Sequence, residues 1–316
     1  LGQLKARDRD LLKLLCGDED AEMRAQAVRW AGDLGFDPDN LVPGLLRDPS
    51  PRVRSMAGIA CGKLKSKDAL EPLTNLLVGA GNKETVLRHA GICGLAGAVT
   101  PSELKGLSKH SSEALRIAAV VALRRQRAFE ELAVFLEDSS PQVMSDAARA
   151  LYDEASGETF TDHPDVLSAL AKCLHPSRPA PVNVRAIAAN RRLGTIEAAR
   201  RLVAFLATPK LDPALRVEAL YSLESWPDAS TLDPMDGRHF PVSQGDPDVL
   251  GAVVGPEVWS LANDSNDKVS RRVIALLRKI EPSPVQLDRV VGYVLDEKQR
   301  SSVRIEWLRW LRKWKI

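Results

Sequence analysis

Aromatic side chains are scarce in this sequence: Phe, Trp and Tyr together make up 5% of its 316 residues. So thin a supply argues against β-sandwiches and barrels, whose strands lean on aromatic and β-branched residues, and suits Ala/Leu-rich helix packing. Cysteine is also sparse. Cys16, Cys61, Cys93 and Cys173 stand far apart with no CxxC and no CxxCH, which removes the usual spacing of a zinc site or a c-type haem. Three of the four fall in apolar helical patterns and read as buried free thiols. No run approaches the ~18 apolar residues that cross a bilayer, so no membrane span is expected. Neither sign of charge dominates, with 44 Lys and Arg against 42 Asp and Glu. Nucleic acid is therefore not an expected partner. The chain opens on Leu1 and reads as excised from something longer, so the lack of a leader says nothing about compartment.

Catalytic signatures are missing as well. There is no GxSxG, P-loop or dinucleotide glycine fingerprint, and the five histidines (His89, His110, His163, His175, His239) show no HxxxH or HExxH spacing. Gly91, Gly94 and Gly97 lie within an Ala-rich helical stretch, where close helix packing explains them. Glu130 and Glu131 are consecutive, so on a helix they point apart and form no acid–base pair. No catalytic residue, cofactor or metal is assigned.

What is present is a repeat. With 44% hydrophobic and 27% charged residues, the chain can build a substantial core. An Asp/Ser/Pro-rich turn, an aliphatic anchor, a following Arg and a small-residue helix recur along it. The clearest copies are Asp48-Pro-Ser-Pro-Arg-Val53-Arg54, Arg178-Pro-Ala-Pro-Val-Asn-Val184-Arg185 and Leu211-Asp-Pro-Ala-Leu215-Arg216. Weaker ones carry anchors at Met23, Leu87, Leu115, Val143, Val269 and Val303. Four residues after the anchor stand Ala27, Ala57, Gly91, Ala119, Ala147, Ala188 and Ala219, with Val273 and Trp307 as exceptions. Eight residues after it stand Ala31, Cys61, Leu95, Leu123, Leu151, Leu223, Leu277 and Leu311, and only Arg192 breaks that column. Spacings of zero, four and eight lie on one helical face. Apolar stretches between the anchors, such as Leu70–Val78, Ile196–Leu206 and Leu287–Leu295, complete helical hairpins. The pattern predicts an all-α chain, a right-handed α-solenoid of about nine HEAT-like hairpins over residues 1–316, with both terminal hairpins incomplete.

Most polar residues find structural work in such an array. The turn Asp caps the first helix, and the Arg after the anchor reaches the turn of an adjacent repeat, giving a ladder of Asp–Arg contacts. Basic pairs at helix ends (Arg124-Arg125, Arg278-Lys279, Arg312-Lys313) complement the helix dipole. Two segments stand apart as candidate partner-binding sites. One is a non-helical insertion over residues 226–248 containing Trp226, Asp233, Gly237, Arg238 and Phe240. The other is the last helix, whose Trp307, Trp310 and Trp314 form an apolar stripe suited either to internal packing or to docking a further domain. The carboxylates near Gly237 lack EF-hand spacing and are not assigned to calcium.

Trp226, Asp233, Gly237, Arg238 and Pro241, following Leu215-Arg216-Val-Glu-Ala-Leu220, resemble a W…D…G-R…P loop in the HEAT section of large multidomain proteins of planctomycetes and their relatives. There a dehydrogenase-like β-propeller precedes the HEAT array and a c-type cytochrome follows it. The resemblance implies an exported or periplasmic protein in which this piece is a spacer, and it carries over no redox residue.

The expected function is a non-catalytic scaffold, a solenoid that binds protein partners or neighbouring domains of the same polypeptide. The alternatives are a HEAT-like DNA-binding or DNA-repair glycosylase, against which Trp226 and Asp228 stand together in an insertion and not on separate concave helices, or a chromophore-lyase-type enzyme with a polar ligand cavity.

Overall fold

The computed structural model describes residues 6–153, 163–233, 235 and 237–316. They fall into two compact units that part between residues 154 and 155, and each is a stack of helical hairpins. The first comprises α1 (Ala6–Cys16), α2 (Ala21–Leu34), α3 (Pro51–Leu64), α4 (Leu70–Ala80), α5 (Thr85–Ala98), α6 (Pro101–Gly106), α7 (Glu113–Gln126), α8 (Phe129–Leu132) and α9 (Pro141–Tyr152). Tight 3-10 turns replace or extend its second helices at Pro38–Asn40, Val42–Arg47, Leu107–Lys109 and Ala133–Glu137. The second unit comprises α10 (Pro164–Lys172), α11 (Ala180–Leu193), α12 (Ile196–Leu206), α13 (Pro213–Glu224), α14 (Asp248–Val253), α15 (Pro256–Ser260), α16 (Asp267–Leu277), α17 (Pro284–Leu295) and α18 (Ser301–Lys313). The chain is an all-α solenoid in architecture, as its periodicity predicts.

Within each unit the anchor-bearing helices lie side by side, α2 on α3 on α5 on α7 on α9, and α11 on α13 on α16 on α18. The anchor is the third residue of each of these helices. It is buried in all of them except α2, where Met23 is exposed. The residue four positions later is buried throughout, and in α5 it is Gly91, which packs against Leu77 of α4. Glycine is required at the tightest point. A Cβ on Gly97 would run into the backbone of Gly62, and one on Gly62 into the carbonyl of Cys93, so α3 and α5 touch backbone to backbone.

One repeat sits in a different register from the sequence reading. In α11 the third helical residue is Val182, which is fully buried, whereas Val184 is only half-buried. The run Val182-Asn183-Val184-Arg185 offers two aliphatic–polar steps, and burial selects the first. The residue that departs from the eight-position column is therefore Asn190. It is fully buried and donates to the carbonyls of Ala171 and Ala186 while accepting from Arg201 Nε.

The ladder is real and has a recurring geometry. Arg24 binds Asp48 through Nε and Nη2 at 2.8 and 3.0 Å, and its Nη1 donates to the carbonyls of Asp18 and Glu19 in its own turn. Arg116 repeats this on Asp138 and on the carbonyls of His110 and Ser111. Arg216 makes a single-point version, Nη1 to Asp264 Oδ2 and Nη2 to the Thr208 carbonyl. Each Asp also accepts from the amide two residues on: Ser50, Ser140 and Asn266. One carboxylate thus closes its own turn and takes the guanidinium of the preceding repeat. Where the pattern lapses, other groups stand in. Asn183 bonds the backbone of His175 and Arg178, and Arg300 reaches back to Ser270 Oγ and the carbonyl of Asp264.

The periodicity predicts helix throughout, outside the irregular insertion over residues 226–248. Within that insertion, Ser230–Leu232 (β1) and His239–Val242 (β2) pair antiparallel, Ser230 opposite Val242 and Leu232 opposite His239. Strands of three and four residues are too short to show period-2 alternation.

Candidate partner-binding site

The insertion is fastened to the stack by two consecutive arginines at the end of α11. Arg191 is almost fully buried. Its Nη1 donates to Ser243 O (3.1 Å), its Nη2 to the carbonyls of Ser225 (3.0 Å) and Asp228 (2.6 Å), and its guanidinium lies 5.6 Å from the centre of the Trp226 ring. Burial lowers its pKa, opposed by Asp228 and assisted by Arg192. Arg192 donates to Pro241 O at 3.0 Å and to Asp233 Oδ2 at 2.5 Å. The rest of the Asp233 residue organises the turn. Its Oδ1 accepts from Met235 N, its amide donates to Arg238 O, and its carbonyl accepts from Gly237 N. Gly237 has φ +72°, a left-handed conformation that suits glycine. Gly245 N donates to Trp226 O at 2.9 Å, and a Cβ there would stand 2.5 Å from Trp226 Nε1.

The predicted insertion residues thus divide by exposure. Trp226 and Asp233 are buried and hold the segment down, while Gly237 and Arg238 are exposed on the turn. Asp236 and the side chain of Phe240 lie outside the described residues. Asp228 is exposed and ion-paired with Lys279 at 3.0 Å. With the Trp226 indole covered and Asp228 paired, neither is presented in the way a base-recognising pair requires. Among the described residues no three His, Cys, Asp or Glu groups converge as a metal site.

The tryptophans of α18 also face inward. Trp307 is stacked against Trp259 (6.0 Å between centroids) and Tyr293 (5.5 Å), and meets Trp310 edge-on at 6.1 Å. Trp310 Nε1 donates to Leu277 O at 3.1 Å. Both rings are fully buried, so they are core side chains here and offer no face to a partner. Trp314 is half-buried, with the Lys313 ammonium 5.0 Å from its ring centre.

The tertiary structure brings the two segments to one place. The C-terminal end of α16 receives Asp228 of the insertion on Lys279, Trp310 on the Leu277 carbonyl and Lys313 on the Arg278 carbonyl. The basic pairs assigned to helix dipoles therefore make specific contacts. Arg125 Nη1 likewise donates to Cys93 Sγ at 3.0 Å.

Beside this junction lies a groove that the sequence reading missed. About 340 Å³ in volume, it is bounded by Val217 and Glu224 of α13, Lys268, Arg271, Arg272 and Ala275 of α16, Arg278, and Glu306 of α18. Glu306 is buried among three guanidinium groups: Arg309 at 2.6 Å, Arg278 at 3.2 Å and Arg271 at 3.8 Å. Arg272 pairs with Glu224 at 2.6 Å. On a single helix these charges look like a solvated face, and only the burial of Glu306 distinguishes them.

A family model of HEAT repeats matches residues 9–92. None of the curated proteins matches the chain. Among solved structures, the chain is similar to an engineered protein at 19% identity, covering 96% of this chain and 88% of that one, with a TM-score of 0.47. It is also similar to the complex of CpcE and CpcF of phycocyanin lyase from Nostoc sp. PCC7120, at 20% identity over 71% of this chain and 89% of that one, TM-score 0.35. Likenesses at these scores carry no functional argument.

Proposed function

We propose that the chain is a non-catalytic scaffold that binds protein partners or neighbouring domains of its own polypeptide through the exposed faces of its stacked helices. The observation that carries this reading is the ladder. The polar residues that recur from repeat to repeat are engaged with one another, as in Arg24–Asp48, Arg116–Asp138 and Arg216–Asp264. The periodic chemistry of the sequence therefore builds a stack and leaves the outward faces for recognition. The pinned insertion adds an exposed turn at Gly237 and Arg238.

Cross-linking mass spectrometry on the protein in its native source tests the reading. A stoichiometric macromolecular partner cross-linked to exposed helix positions is the expected result. Turnover of a small substrate by the purified chain, with no such partner, would defeat it. The narrower idea of a spacer in an exported redox protein is tested by the coding sequence on both sides of this segment. A propeller upstream and a CxxCH domain downstream support it. A start codon directly before Leu1 and a stop directly after Ile316 defeat it.

A further inference from the structure

The groove between α13, α16 and α18 has more positive charge than its own carboxylates neutralise. Five cations (Lys268, Arg271, Arg272, Arg278 and Arg309) stand in and beside it around three carboxylates, Glu224, Asp267 and Glu306. The pairing is uneven. Glu306 is shared among three guanidinium groups, Arg271 reaches its acidic neighbours only at 3.7 and 3.8 Å, and Lys268 makes no ion pair among the described residues. Arg271 is about half exposed, and Lys268 is exposed beside it. The crowding continues past the groove. Lys313 has its pKa lowered by burial and then by Lys279 and Arg278. Cations clustered in this way attract an anionic partner and speed its approach.

The lining also says which anion. Glu224 and Glu306 stand among the cations, and Val217 and Ala275 supply an apolar strip. A nucleic-acid backbone, with about one charge per 1.7 Å of duplex, offers no aliphatic group to that strip. An acidic peptide can place its carboxylates on Lys268 and Arg271 and an aliphatic stem over Val217 and Ala275. We propose that this groove is the docking site for an acidic segment of a protein partner, which names the partner chemistry for the scaffold reading and rests on it.

The probe is a fluorescein-labelled octaglutamate peptide, titrated with the full chain and followed by fluorescence anisotropy. Saturable binding is expected, weakened by raising salt from about 0.15 to about 1 M. The double variant Lys268→Glu/Arg271→Glu weakens it by about tenfold or more, while Lys67→Glu/Lys105→Glu, on exposed positions of the other unit, leaves it unchanged. Both variants keep the helical circular-dichroism signal, and Lys268→Ala provides a milder change at the same surface. Binding indifferent to the groove variants overturns the proposal, as does no binding. So does a DNA duplex that displaces the peptide and is itself weakened by the same variants. If the cross-linked partner of the native protein still binds the Lys268→Glu/Arg271→Glu chain, the groove assignment falls and the scaffold reading stands.

Discussion

Arg192 and Asp233, 41 residues apart in sequence, meet at 2.5 Å with both side chains withdrawn from solvent. The pair ties the tip of the insertion to the end of α11, and Arg191 beside it ties the base. Together they fasten the described parts of a Pro- and Gly-containing segment to the helical stack.

Replacing Arg192 with Ala leaves the Asp233 carboxylate buried without its main cation. Breaking such a pair costs about 3–5 kcal/mol, and the loss falls on the hairpin before the helices. Hydrogen exchange of the amides between residues 230 and 242 should accelerate by about 100-fold or more, with far-ultraviolet circular dichroism unchanged. Unaltered exchange in Arg192→Ala and Asp233→Asn would show that other contacts hold the segment.

Trp307→Ala and Trp310→Ala separate a core role from a docking role. As core residues they should each lower the stability of the isolated chain by about 3–5 kcal/mol in urea titration. A tryptophan reserved for a partner would leave the midpoint of the isolated chain where it was.

The ladder gives unit 1 an acid limit. The Arg24 hydrogen bonds hold the Asp48 carboxyl below the usual carboxylate range, and Arg52, with help from Gln26, holds Glu22 at about 2. Groups depressed in the folded state stabilise it above their unfolded pKa values, about 3.9 for Asp and 4.3 for Glu. That contribution disappears as pH falls through the folded values. The urea midpoint should therefore fall as pH drops below about 4. Arg24→Ala should lower it at pH 7 and flatten the acid limb, and an identical pH profile in wild type and variant would dismiss the rung.

Three of the four thiols are closed off. Cys16, Cys61 and Cys173 are buried, and burial is the main cause raising Cys16 to about 11 and Cys61 to about 12. Native alkylation with iodoacetamide at pH 8 should mark Cys93 alone, with all four marked in urea. An adduct on Cys61 in the native protein would contradict the α3–α5 packing.

The all-helical repeat was legible because an anchor with small or aliphatic residues four and eight positions later places one apolar stripe on each helix, and such stripes must pair. The Arg–Asp rungs were legible too, since turn Asp and helix Arg recur in step. Val182 and Val184 both carry the right local chemistry, and only burial against neighbouring helices selects Val182. For the candidate residues, local sequence does not say which side chains face inward. A tryptophan stripe looks alike whether it faces a core or a partner, and Trp307 is internal only because Trp259 and Tyr293 come from other helices to cover it. Local periodicity, which depends on residues a few positions apart, determined the solenoid. Tertiary packing, which depends on residues 28 to 51 positions apart such as Arg192–Asp233, Arg278–Glu306 and Lys279–Asp228, decided which charges are buried, which are paired and where an unbalanced cationic groove remains.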